Sequence, residues 1–114
     1  MTEVSRIRAA LENPRTGERF QARVFTSGEI AYCSKRRNRY ESFAARFAAK
    51  EAMMKALGNS FGWREIEVVR GEGAPTIRLQ GRAQARAAAL GIQHIHLSLS
   101  HTAELAIAYV VAEG

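Results

Sequence analysis

Glu51 and Lys55 stand four residues apart in the run Arg46-Phe47-Ala48-Ala49-Lys50-Glu51-Ala52-Met53-Met54-Lys55-Ala56-Leu57-Gly58. Ala, Met, Glu and Lys are strong helix formers, so the spacing predicts a helix on which the two side chains share a face. Phe43, Phe47 and Ala48 lie along the apolar stripe of that helix. Steps of four from Phe47 lead to Glu51 and then to Lys55. A carboxylate and an ammonium therefore continue a face expected to be buried. One reading is an ordinary i,i+4 ion pair at the margin of the stripe, worth ~0.3–0.5 kcal/mol. The other makes Glu51 a metal ligand or base, with Lys55 holding a phosphate beside it.

His101 follows an alternating segment in which Ile95, Leu97 and Leu99 fall on one face and His94, His96 and Ser98 on the other. A histidine at a strand end is commonly a capped or packed residue, and it can equally serve a site. His94 and His96 share a face but bring no third metal ligand. Ser98 and Ser100 lack the small-residue elbow of a nucleophilic serine. Gly71-Glu72-Gly73 sits in a hairpin turn and opens no helix, unlike a phosphate loop. Arg6, Arg19 and Arg23 accompany Phe20, Val24 and Phe25. Such interleaving suits either nucleic acid, by stacking and phosphate contact, or an acidic protein gripped by an apolar anchor inside a basic rim.

These residues must be carried by a small fold. The chain has 114 residues, 46% hydrophobic and 25% charged, which fits one globular domain over residues 1–114. No apolar run approaches the ~20 residues of a membrane span, and the first residues lack a secretory pattern. One cysteine, Cys33, excludes an internal disulfide. The expectation is a soluble, cytoplasmic protein. Its net charge of +6 is concentrated: residues 1–50 carry eleven Lys/Arg and five Glu, whereas residues 51–114 carry six of each. The excess in the first half suits an anionic partner. Every acid is Glu; there is no Asp.

Helical spacing over 4–12 stops near Asn13-Pro14, and Thr16-Gly17 reads as a turn. Thr26-Ser27-Gly28-Glu29 has the form of a capping box opening a helix through about Cys33. Ser34 to Arg39 reads as a basic connector, Tyr40 to Leu57 as the longest helix, and Gly58 as its stop. Residues 59–62 read as a loop. Strands are predicted over 65–70 and 76–80 as a hairpin, an Ala-rich helix over 82–90, and strands over 93–100 and 105–111. Helices preceding an antiparallel sheet make an α+β domain.

Taken together, these segments resemble holo-acyl-carrier-protein synthase, the small trimeric family of 4′-phosphopantetheinyl transferases. The resemblance rests on Arg46-Phe47-Ala48-Ala49-Lys50-Glu51-Ala52, on Lys55-Ala56-Leu57-Gly58 and on Leu97-Ser98-Leu99-Ser100-His101-Thr102. Glu3-Val4-Ser5-Arg6-Ile7 and Arg19-Phe20-Gln21-Ala22-Arg23-Val24-Phe25-Thr26 support it, in the family's order and near its spacing. The resemblance implies transfer of phosphopantetheine from coenzyme A to a serine of an acidic apo acyl carrier protein. It implies Mg²⁺ held by Glu51, phosphate contacts from Lys55 and His101, and further coenzyme contacts from Arg46 and Lys50. Arg6, Arg19 and Phe20, with Arg23 beside them, would grip the carrier. A homotrimer with sites between subunits is implied, and neither nucleic acid nor membrane.

The family begins with a strand ending in Gly-x-Asp-[Ile/Val], whose Asp is a principal Mg²⁺ ligand lying three residues before the position of Glu3. The sequence from Met1 has no such strand and no Asp. It is therefore expected to leave a sheet edge unpaired and to rely on Glu51 for the metal. This departure keeps a second reading in view: a repurposed homologue acting on a carrier-bound acyl chain by acid/base chemistry from Glu51 or His101, without metal. A basic nucleic-acid-binding domain, motivated by charge alone, is a third.

Overall fold

The computed structural model describes residues 1–70 and 73–114. The Gly71–Pro75 turn read from the sequence therefore lies partly outside the described residues. The chain runs β1 (Thr2–Glu3), α1 (Val4–Glu12), α2 (Gly17–Val24), α3 (Ser27–Ser34) and α4 (Arg39–Leu57). After a single 3₁₀ turn (Trp63–Glu65) come β2 (Ile66–Val69), β3 (Thr76–Leu79), α5 (Gly81–Ala89), β4 (His94–His101) and β5 (Leu105–Glu113). The α+β reading holds, with the strands divided between a three-stranded antiparallel sheet, β1-β5-β4, and the β2-β3 hairpin.

Two elements differ from the sequence reading. Thr16-Gly17, expected as a turn, leads directly into α2, a helix that spacing did not reveal. Gly17 is required there by close approach, since a Cβ would stand 2.2 Å from the Leu11 carbonyl oxygen. At the sheet edge, Thr2 and Glu3 pair with Ala106 and Leu105, so the start of the chain does supply a short strand. Among the described residues β1 alone covers that side of β5, and β4 pairs along the other.

Helix α4 is the centre of the molecule and packs along β5. Its first half contributes Phe43, Ala44 and Ala45 to one core with Val4, Ile7, Val24 and Phe25. Its second half contributes Met53 and Leu57 to another core with Ile66, Ala83 and Ala87. Gly58 ends the helix at φ 74°, the left-handed conformation that glycine adopts without strain. Helix α3 opens with the capping box as expected: the Glu29 amide donates to Thr26 Oγ1 at 3.2 Å, and the Thr26 amide donates to Glu29 Oε1 at 2.9 Å.

Candidate active site

The inward face of α4 runs through Lys50, Met53 and Leu57, not through Glu51 and Lys55 as the stripe of four-residue steps suggested. One residue is a rotation of ~100° on a helix, enough to bring Glu51 out while Lys50 goes in. Glu51 opens onto a concavity of about 250 Å³ that Arg6, Ile7, Phe20 and Phe47 also line. The Thr2 hydroxyl donates to Glu51 Oε1 at 3.3 Å, holding the carboxylate from β1. Lys55 lies one turn further on, exposed, and among the described residues it forms no ion pair with Glu51. Among the described residues the ordinary ion pair of Glu51 and Lys55 does not form, and Lys55 makes no other salt bridge.

In this chain Arg46 and Lys50, expected to hold coenzyme phosphates, are buried and do not reach this surface. Lys50 has no exposed surface. Its Nζ lies 2.7 Å from Glu29 Oε1 and donates to the Trp63 carbonyl at 3.0 Å and to the Ile66 carbonyl. Burial pulls its pKa below the ordinary 10.5, against the opposing pull of the Glu29 carboxylate. Arg46 is 4% exposed; its guanidinium lies 4.3 Å from the centre of the Tyr32 ring and donates to the Ser42 carbonyl.

His101 sits at the end of β4, where its Nδ1 lies 2.9 Å from Glu41 Oε1. Glu41 is in the first turn of α4, ten residues before Glu51, which the helical rise of 1.5 Å converts to about 15 Å. The structure therefore does not bring His101 to Glu51 within one chain. Beside the histidine lies a separate groove of about 700 Å³ lined by Arg8, Arg37, Arg39, Tyr40 and Glu41 among others. Arg39 and Arg8 cover the Tyr40 ring at 4.7 and 5.1 Å. This groove is rich in guanidinium donors suited to phosphate oxygens.

Among the docking candidates, Arg6 and Phe20 meet at the Glu51 concavity and Arg19 is exposed on α2. Arg23 lines a different cavity, with Trp63 and Arg64. Val24 and Phe25 are core residues, not surface anchors. Sequence reasoning missed Thr2, Glu41 and the Phe47–Trp63 stack, whose rings lie 4.7 Å apart. Each depends on a pairing distant in the chain, and no local pattern announced it.

Likeness to known proteins bears on the family and the fold. The model of the 4′-phosphopantetheinyl transferase superfamily matches residues 2–110. The chain belongs to that superfamily. A relative from Anaeromyxobacter sp. (strain K), named holo-[acyl-carrier-protein] synthase, is 48% identical over 117 residues, covering 100% of this chain and 91% of its own. One from Solibacter usitatus (strain Ellin6076), with the same name, is 44% identical, covering 100% and 94%. The Helicobacter pylori holo-[acyl-carrier-protein] synthase, solved in complex with coenzyme A, superposes with a TM-score of 0.82. It is 29% identical, and the match covers 97% of this chain and 94% of that one. The synthase from Neisseria meningitidis matches with the same TM-score at 28% identity, covering 99% and 93%. The chain is accordingly an enzyme of the holo-[acyl-carrier-protein] synthase type, a phosphopantetheinyl transferase.

The residues present fit a magnesium ion of the sparsely held kind. Among the described residues no three His, Cys, Asp or Glu side chains gather as a metal cage. Mg²⁺ commonly uses one or two carboxylates and completes its octahedron with water and substrate phosphates. Glu51, facing a concavity and next to the Thr2 hydroxyl, would supply the carboxylate oxygen such a site needs.

Proposed function

We propose that this enzyme transfers 4′-phosphopantetheine from coenzyme A to a serine hydroxyl of an apo acyl carrier protein. The serine oxygen forms a bond to the β-phosphorus of the coenzyme's pyrophosphate. The bond to the bridging oxygen breaks, and 3′,5′-ADP leaves with the electron pair. The observation that carries this reading is Glu51: a carboxylate turned out of the helix into a concavity shared with Arg6 and Phe20, with an exposed Lys55 one turn away. Glu51 takes the serine proton through a bound water and supplies the carboxylate for Mg²⁺. Bound there, the ion would neutralise charge on the phosphate oxygens. Lys55 contacts those oxygens, adding charge where it develops in the transition state.

Arg6, Arg19 and Phe20 grip the carrier, an acidic protein in this reading. Exposed guanidiniums around a half-buried ring give a basic rim with an apolar anchor. Arg23 extends the basic rim toward Arg64.

His101 acts from a second copy of the chain. Since its partner Glu41 stands about 15 Å along α4 from Glu51, each reaction centre combines Glu51 and Lys55 of one copy with His101 of another. The surface for this assembly is the open face of β4 and β5, where Ser98 pairs with Tyr109 and His96 with Val111. Tyr109 and Val111 are 70% and 57% exposed, an apolar pair suited to burial in a homotrimer. Mixing subunits tests the composite site. Glu51→Gln and His101→Ala proteins, each impaired in carrier modification, are expected to regain activity when unfolded and refolded together. Mixed trimers no more active than either parent would overturn it.

A further inference from the structure

Lys50 has the chemistry of a phosphate ligand and the surroundings of a core residue, which raises the question of what a buried charge does one position before Glu51. Its Nζ is bonded to Glu29 Oε1 at 2.7 Å and donates to the carbonyls of Trp63 and Ile66. Glu29 in turn accepts from the Thr26 amide at 2.9 Å and, through Oε2, from the Val68 amide at 2.8 Å. One ion pair thus joins the start of α3, the middle of α4, the 3₁₀ turn and β2. An apolar pair of similar volume would hold these elements at less desolvation cost. The bonds made here have a direction, however. The Trp63 carbonyl that receives Lys50 belongs to the residue whose ring stacks on Phe47 at 4.7 Å, with the planes 20° apart. Phe47 stacks on Phe20 in turn, and both line the Glu51 concavity.

We infer that Lys50 is a positioning residue: through Glu29 and the Trp63 carbonyl it fixes the azimuth of α4 and the Trp63–Phe47 wall that together aim Glu51 at its substrate. This inference rests on the transfer reading for its catalytic consequence but not for its structural one. Trp63 is the only tryptophan in the chain, so its fluorescence reports the wall without reference to activity.

The test is the double variant Glu29→Gln/Lys50→Met beside the native protein. The expected result is a folded protein whose Trp63 emission is red-shifted and more readily quenched by acrylamide. Its kcat for carrier modification falls on the order of 10- to 100-fold, while KM for coenzyme A stays within about twofold. Unchanged Trp63 emission and quenching would overturn the inference whatever the activity. A shifted emission with native kcat would overturn the catalytic part. A native protein that modifies no carrier contradicts the transfer reading instead, and the fluorescence still decides the wall. Should the double variant not fold, Trp63→Leu removes the ring and keeps the carbonyl that Lys50 uses. A kcat loss with KM unchanged supports the inference there, and native kcat overturns it.

Discussion

The imidazole of His101 is bonded through Nδ1 to Glu41 at 2.9 Å, on the same helix as Glu51 but three turns before it. This pairing engages Nδ1 and leaves Nε2 as the ring nitrogen for a phosphate in the proposed reaction. The proposed site, which uses both His101 and Glu51, draws on two copies of the chain. In that proposal Glu41 orients His101 without touching substrate. Replacing His101 by Ala is expected to lower kcat by about 10²-fold, in the range of lost acid–base or phosphate contacts. Glu41→Gln, which keeps an acceptor for Nδ1, should cost less. Steady-state carrier modification by both variants checks this, and a Glu41→Gln loss exceeding that of His101→Ala would contradict it.

Cys33 is fully enclosed, and burial pushes its thiol up to about 11. The thiolate is the reactive form, so the native protein is expected to resist disulfide-exchange reagents at neutral pH and to react stoichiometrically once denatured. Rapid labelling of the folded protein would refute that placement.

Glu65 accepts from the Gly62 amide at 2.7 Å and the Arg82 amide at 2.6 Å. The Gly62 bond leads in holding its carboxyl below the ordinary 4.5. A carboxylate whose folded pKa is depressed contributes stability above its unfolded pKa and loses it as pH falls through the folded value. The stability gap between native protein and Glu65→Gln should therefore be present at pH 7 and close below about pH 4.5. Urea midpoints at pH 3.5, 5 and 7, on the order of a few pH points across the transition, measure it. A gap independent of pH would show that the charge is not involved.

Gly58 occupies φ 74° at the end of α4, directly after the helical turn that carries Lys55. Gly58→Ala forces an L-residue into the left-handed region and is expected to cost about 1–2 kcal/mol. Chemical denaturation would show this as a lowered midpoint at unchanged slope. A neutral effect would mean the helix end rearranges.

How far the sequence could be read depended on the distance over which each signal acts. The Thr26–Glu29 capping box spans three residues, and it formed as its pattern required. The second partners of Glu29, Lys50 and Val68, lie 21 and 39 positions further on and left no local trace. Lys50 and Glu51 show the same limit within one helix. Both are charged and both border the apolar stripe, so spacing alone could not say which of them turns inward. The packing of β2 and Trp63 against α4 decides it. Helix α2 escaped notice because Thr16-Gly17 has turn chemistry, whereas Gly17 is there to let α2 approach the Leu11 carbonyl. The motif run around Glu51 needed no such tertiary information, which is why the family was legible before the fold.

In the proposed reaction Glu51 serves metal-assisted transfer of phosphopantetheine. Intact mass spectrometry of an apo acyl carrier protein tests it, after incubation with coenzyme A, Mg²⁺ and either the native enzyme or Glu51→Gln. EDTA replaces Mg²⁺ in a parallel sample. A mass gain of one phosphopantetheine with the native enzyme, abolished by EDTA and by Glu51→Gln, is the predicted result. An equal gain with Glu51→Gln, or no gain with the native enzyme, would contradict it.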